Sequence, residues 1–157
     1  MIKIYTDGSS LDQTKKIGNK RGGAAFIVVD GDNVKYNEAA SHYNVDVTNN
    51  TMEMSAMIMA IEHCIDKGYS NATIYSDSKY VVNGINEWME GWKDKGWKKK
   101  SGVIANIEIW KHIDKLVEKS PYIKYEWVRG HDGHEHNEAV DKLAYGAATV
   151  SEVVCIQ

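Results

Sequence analysis

Hydrophobic periodicity changes along this chain in an order that points to one class of architecture. Ile2 to Thr6 alternates and reads as a strand, and the stretch Gly22 to Asp30 (Gly-Gly-Ala-Ala-Phe-Ile-Val-Val-Asp) is an apolar run opened by glycine. Gly31-Asp32-Asn33 is a turn signal, after which Val34 to Tyr43 resumes an extended pattern. The three segments predict an antiparallel meander. Met54, Met57, Ile58, Ile61 and Ile65 then recur at helical spacing, in a helix that Asn49 and Asn50 can cap and that ends at Gly68. Ala72 to Asp77 is a further strand, and Ser78 to Trp88 a helix with Val81, Val82 and Ile85 apolar. A longer helix runs from Ile104 to Lys119, with Ile107, Trp110, Ile113, Leu116 and Val117 apolar, and Pro121 breaks it. Tyr122 to Val128 is a last strand, Arg129 to His136 a loop, and Asn137 to Ala148 a final helix. This order argues for an α/β fold in which a mixed sheet is covered by helices. Parallel pairing after the first helix brings the ends of the first and fourth strands together, and Asp7 and Asp77 sit at those ends.

The chain of 157 residues fits one domain, 1–157, and no repeat, linker or low-complexity segment divides it. The tail 149–157 carries no readable pattern. No apolar run is long enough to cross a membrane, and the N-terminus lacks the sections of a signal peptide. Two cysteines, Cys64 and Cys155, are too few for a disulfide framework, and Cys64 on a helix face reads as a small buried thiol. A reducing, cytoplasmic setting is expected. The formal net charge of −3 argues weakly against nucleic acid, but its distribution argues the other way. Within 93–100 stand five lysines, at 93, 95, 98, 99 and 100, against one acid, Asp94; the remainder carries −7. A basic prong on an acidic body suits a protein that grips phosphates with one part and binds cations with another.

Four acids stand where apolar sequence surrounds them. Asp7 and Asp77 end strand patterns, while Glu53 and Asp141 border the apolar stripes of two helices. Each has an ordinary explanation: Asp-Gly is a turn signal, Asp77 can cap the next helix, and a lone helical acid is most often solvated. Their combination, with a topology able to gather them, raises the functional alternative. Converging carboxylates repel, and a divalent cation is the usual remedy.

At this point the chain resembles type 1 ribonuclease H, the bacterial-type enzyme that cuts the RNA strand of RNA–DNA hybrids. The blocks that carry the resemblance are Tyr-Thr-Asp-Gly-Ser at 5–9, Thr-Asn-Asn-Thr-Met-Glu at 48–53 and Ser-Asp-Ser-Lys-Tyr-Val at 76–81. They continue with Trp88, Trp92 and Gly96-Trp97-Lys98, then Trp-Val-Arg-Gly-His-Asp-Gly-His-Glu-His-Asn-Glu at 127–138, and close on Asp141. Any one block is weak; together they are specific and cover most of the chain. The resemblance implies a five-stranded mixed sheet with helices packed on both faces. It implies that Asp7, Glu53, Asp77 and Asp141 hold two Mg²⁺ ions, with Mn²⁺ as a substitute, roughly 3.5–4 Å apart at the scissile phosphate. One ion would activate the attacking water and the other would stabilise the departing 3′ oxygen, leaving 5′-phosphate and 3′-hydroxyl ends. His131 would assist proton transfer or product departure, for which an imidazole is suited. Asp132 and His134-Glu135-His136 depart from the usual pattern of this loop.

The resemblance also implies a division of the substrate. Ser10, Asn49, Asn50, Glu53 and backbone groups at Gly8 and Ser9 would face the RNA minor groove, where the 2′-hydroxyl distinguishes RNA. Thr48 and Asn106 would hold a DNA phosphate, and Tyr80 and Trp92 would line the channel for DNA sugars. Residues 88–102 resemble a basic protrusion in which Lys93, Lys95, Lys98 and Lys99 contact the backbone, although Trp88 and Trp97 fit a core role at least as well. A monomer acting on a hybrid, without a membrane, is expected. A free-standing enzyme is favoured over the nuclease domain of a reverse transcriptase, and processivity is expected to be low. A non-catalytic hybrid-binding module is disfavoured because all four acids are present. A 3′–5′ exonuclease of the same superfold is disfavoured because Asp7-Gly8-Ser9 stands in place of Asp-x-Glu.

Overall fold

The computed structural model describes residues 1–99, 101–130 and 134–156, with the side chains of 154–156 left out. Five strands form one sheet in the order β3-β2-β1-β4-β5: β1 is Ile2–Ser10, β2 Lys20–Asp30, β3 Asn33–Asn44, β4 Ala72–Ser76 and β5 Lys124–Trp127. β1, β2 and β3 form the antiparallel meander, while β4 pairs in parallel with both β1 and β5. Helix α1 (Asn49–Lys67) lies on one face and α5 (Glu135–Thr149) on the other, so helices cover both faces of a mixed sheet.

Strand alternation feeds two separate cores. On β2, Phe26 and Val28 face the α1 side with Met54, Met57 and Ile61, while Ala25, Ile27 and Val29 face the α5 side with Val140 and Ala144. Burial on the α1 side pushes the Cys64 thiol up to about 12, as befits an inert core residue.

The strands and helices differ from the sequence expectation at their ends. β1 continues past Thr6 to Ser10, because Ser9 and Ser10 pair with Gly23 and Gly22 of β2. Its parallel pairing with β4 nevertheless stops at Thr6 opposite Ser76. Asp7 therefore stands where β1 loses one neighbour and keeps the other. The cap of α1 is Thr48, with φ of −141°, rather than Asn49 or Asn50. Thr48 Oγ1 accepts from the Thr51 N–H at 3.0 Å and Thr51 Oγ1 accepts from the Thr48 N–H at 2.8 Å, a reciprocal capping box. Gly68 ends the helix in the left-handed region at φ 68°, as predicted.

The expected helix 78–88 is instead α2 (Lys79–Asn83), a π-helical turn (Gly84–Trp88) and α3 (Met89–Asp94), so the first half of the basic stretch is helical. Helix α4 begins at Ile107, not Ile104, and runs to Lys119; its N-cap Asn106 sits at φ 58°. Helix α5 starts two residues earlier than expected. The tail contains a short helix, α6 (Ser151–Ile156), fastened where the Ser151 hydroxyl donates to the Ala148 carbonyl at 2.8 Å.

Candidate active site

Parallel pairing of β1 and β4 sets Asp7 and Asp77 beside each other at the same end of the sheet. Glu53, in the second turn of α1, reaches over that end. Gly8 is what lets the helix come so close: a Cβ at Gly8 would lie 2.3 Å from the Met52 carbonyl carbon and 2.4 Å from the Glu53 nitrogen. Carboxylate oxygens of Asp7, Glu53 and Asp77 lie within 4.8 Å of one another. Asp141, on the first half of α5, stands beside Asp7 and lines the same small cleft as Asp7 and Asp77, outside the tight triad. Chain positions far apart in sequence thus converge from β1, the residue after β4 and two helices.

The triad is poorly solvated. Asp7 is 6% exposed and Glu53 8%. Burial is the main cause that raises the Asp7 pKa, followed by its contacts with Glu53, Asp141 and Asp77. Burial raises Glu53 as well, with Asp77 adding to it, against lowering by the hydrogen bonds from Asp7 and the Gly8 N–H. Neither acid forms a salt bridge among the described residues. An all-oxygen, partly buried and mutually repelling donor set fits a hard divalent cation such as Mg²⁺ or Mn²⁺.

These shifts have a consequence for stability. An acid whose pKa is raised in the folded state binds its proton more tightly there than in the unfolded chain. Its stabilising contribution is complete below the ordinary carboxylate range, near pH 4, and is lost as pH rises through the raised native values. Metal-free wild-type protein is therefore expected to lose stability relative to Asp7→Asn as pH rises from about 4 towards alkaline values, and Mg²⁺ is expected to restore it. Thermal melts of both proteins across pH, with EDTA and then with Mg²⁺, check this; a pH-independent difference between the two would contradict it.

The structure gathers some of the predicted substrate residues. The Ser10 hydroxyl donates to Asn49 Oδ1 at 2.6 Å, close to Gly8 and Ser9. Because Thr48 caps the helix, the Asn49 side chain is left for this contact; Thr48, Asn49 and Asn50 line one shallow surface cleft. Gln13, which sequence reasoning missed, donates to the same Asn49 oxygen at 3.3 Å and to the Ser10 carbonyl at 3.2 Å. Its loop is pinned by Arg21, which binds both oxygens of Asp12 at 2.9 and 2.8 Å.

On the other side, Tyr80, Trp92 and Lys99 line a groove with Trp88, Ile104 and Ala105. Asn106 Nδ2 and Trp110 Nε1 both donate to the Tyr80 hydroxyl, at 3.2 and 3.1 Å. Asn106 is thus beside Tyr80, whereas Thr48 lines the cleft next to Asn49. Lys95, Lys98 and Lys99 are exposed. Lys93 pairs with Asp114 at 3.3 Å and with Glu118, tying α3 to α4. Trp97 packs against the core and Trp88 is 36% exposed.

The cleft around the acids also contains Gly130, Asn137 and Glu138, which periodicity alone could not place there. A Cβ at Gly130 would lie 2.6 Å from Asp77 Oδ2. The indole N–H of Trp127 donates to the Asp77 carbonyl at 3.0 Å, and Lys79 lies 4.6 Å over the Trp127 ring. His131 and Asp132 lie outside the described residues. His134 caps α5, its Nδ1 accepting from the Asn137 N–H at 3.4 Å, and both it and His136 pack on the Tyr5 ring.

The family described as RNase H matches residues 1–149. The chain belongs to the ribonuclease H family. It is 40% identical over 146 residues to a ribonuclease H of a Cyanothece species, covering 90% of this chain and 85% of that one. It is 37% identical over 150 residues to a ribonuclease H of Citrobacter koseri, covering 94% and 88%. Among solved structures, a type 1 ribonuclease H with the type 2 active-site motif superposes with a TM-score of 0.80 at 30% identity, over 96% of this chain and 72% of that one. The ribonuclease H domain of PFV shares the fold, with a TM-score of 0.83 at 23% identity over 95% and 94%. The type 1 resemblance and the mixed five-stranded ribonuclease H fold are therefore both upheld.

Proposed function

We propose that this ribonuclease H is an endonuclease that hydrolyses the RNA strand of RNA–DNA hybrids and leaves 5′-phosphate and 3′-hydroxyl ends. The observation that carries this is the approach of the Asp7, Glu53 and Asp77 carboxylates within 4.8 Å, with Asp141 beside Asp7. These four residues hold the divalent cations, two Mg²⁺ with Mn²⁺ as a substitute. When bound, such ions neutralise charge at a phosphoryl group and activate water for in-line displacement. The chain's own residues set up the rest. Asp7 and Asp77 are fixed by the β1–β4 register, and Glu53 is held across both strands. His131 assists proton transfer or product departure.

Ser10, Asn49, Asn50 and the backbone at Gly8 and Ser9 meet the RNA strand, and Gln13 joins them through Asn49. Tyr80 and Trp92 take the DNA sugars, while Thr48 and Asn106 take DNA phosphate. Lys95, Lys98 and Lys99 contact the backbone further along, with Lys93 bracing the helix that precedes them. Phosphate contacts of this kind position the duplex without reading its sequence. A ribonuclease H1 of the same fold has been solved in complex with an RNA/DNA hybrid, which is consistent with such a substrate. The chain acts as a monomer in the cytoplasm.

Cleavage of an end-labelled hybrid in Mg²⁺, beside RNA-only and DNA-only controls, tests the proposal. Cutting confined to the RNA strand of the hybrid, and abolished by EDTA, is expected. Binding of hybrid without turnover in either Mg²⁺ or Mn²⁺ would instead indicate a non-catalytic module.

A further inference from the structure

Glu53 is the one acid of the triad that comes from a helix, so something must fix its carboxylate relative to the strands that carry Asp7 and Asp77. Each of its oxygens has its own donor. The Gly8 N–H of β1 donates to Oε1. The hydroxyl of Ser76, the last residue of β4, donates to Oε2 at 3.3 Å. Ser76 is 1% exposed and is itself held at both ends. Its carbonyl accepts from the Val128 N–H at 2.9 Å, and its Oγ accepts from the Ser78 N–H at 3.0 Å. With the Ser78 N–H occupying a lone pair of that oxygen, the hydroxyl proton is directed towards Glu53.

We infer that Ser76 is a positioning residue: its buried hydroxyl locks the second oxygen of Glu53, so that the carboxylate presents one set orientation to a cation between Asp7 and Asp77. This rests on the proposed cation-binding role of the acids. A partner that orients a ligand carboxylate typically contributes about 10–100-fold in metal affinity. Nothing in the periodicity of 72–77 singles out Ser76, because its contact is made with a helix 23 residues away.

The test is metal affinity rather than turnover. Metal-free wild type, Ser76→Ala and Ser76→Cys are titrated with Mg²⁺ and with Mn²⁺, and the concentration giving half of the thermal shift is read for each. Both variants are expected to need about 10–100-fold more metal than wild type, with metal-free melting temperatures close to its own. Half-shift concentrations within about threefold of wild type in both would overturn the inference while leaving the cation site intact. A loss in Ser76→Ala alone would trace the effect to the space vacated rather than to the hydroxyl, and would overturn it too. Absence of any metal-induced shift in wild type would sink the cation site and this inference with it.

Discussion

Asp7→Asn is expected to lower Mg²⁺-dependent cleavage of a hybrid by on the order of 10³-fold or more, while the protein folds normally. The side chain keeps its shape, so the β1–β2 and β1–β4 registers that carry it are undisturbed. What it loses is one anionic oxygen from a cluster in which three carboxylates lie within 4.8 Å. Removing a group that only orients a metal ligand costs about 10–100-fold, so removing a ligand itself should cost more. The same substitution relieves repulsion with Glu53, Asp77 and Asp141, so activity and metal-free stability should move in opposite directions. Single-turnover cleavage and a thermal melt of one preparation check both. Near-normal cleavage by Asp7→Asn would remove Asp7 from the cation site and with it the mechanism proposed for this chain.

Trp110→Ala is expected to cost about 3–5 kcal/mol of folding stability, a large share of the roughly 5–15 kcal/mol available to a domain. Trp110 is completely buried on α4, and its ring centroid lies 5.4 Å from that of Tyr80 and 5.7 Å from that of Trp92. It also fills the space over the π-helical turn: a Cβ at Gly84 would lie 1.9 Å from the indole ring. Truncation would open a cavity between α4 and the α2–α3 segment and remove the indole N–H that holds the Tyr80 hydroxyl at 3.1 Å. Tyr80 lines the groove proposed for DNA sugars, so hybrid affinity should weaken along with stability. Trp110→Phe retains most of the volume and leaves Asn106 as a donor to Tyr80, so about 1–2 kcal/mol is expected instead. Urea denaturation of the two variants measures the difference; a cost below about 1 kcal/mol for the alanine variant would show that this cluster is not a keystone of the fold.

The parts of the fold that were legible are those in which one residue's environment is announced by its neighbours. The stripe through Met54, Met57 and Ile61 announced α1, Gly68 announced its end, and the strand patterns before Asp7 and Asp77 announced a parallel pair. Choices between equally suited neighbours, and contacts with partners far away in sequence, were not legible. Thr48 rather than Asn49 caps α1 because it is Thr48 that meets Thr51 in a reciprocal pair, and both residue types are good caps. The π-helical turn at Gly84–Trp88 lies against Trp110, a partner on another helix that local propensity does not register. Lys93 looked like its neighbouring lysines until α4 brought Asp114 and Glu118 against it.

The order of the strands and of the main helices, the acids at their ends and the family that such an arrangement denotes were all written in the chain, whereas the π-helical turn and α6 were not. Hydrophobic periodicity and turn chemistry are local properties, and the ribonuclease H blocks are read in order along the chain. How those acids are held emerges from the folded molecule alone: Glu53 is gripped between Gly8 and Ser76, Asp141 leans on Asp7 just outside the triad, and burial raises the acids it crowds. The reason is distance. A carboxylate's orientation and its proton affinity are set by groups within a few ångströms in space, and here the Gly8 N–H, the Ser76 hydroxyl and the neighbouring acids come from strands and helices whose order predicts that they approach but not which atoms meet.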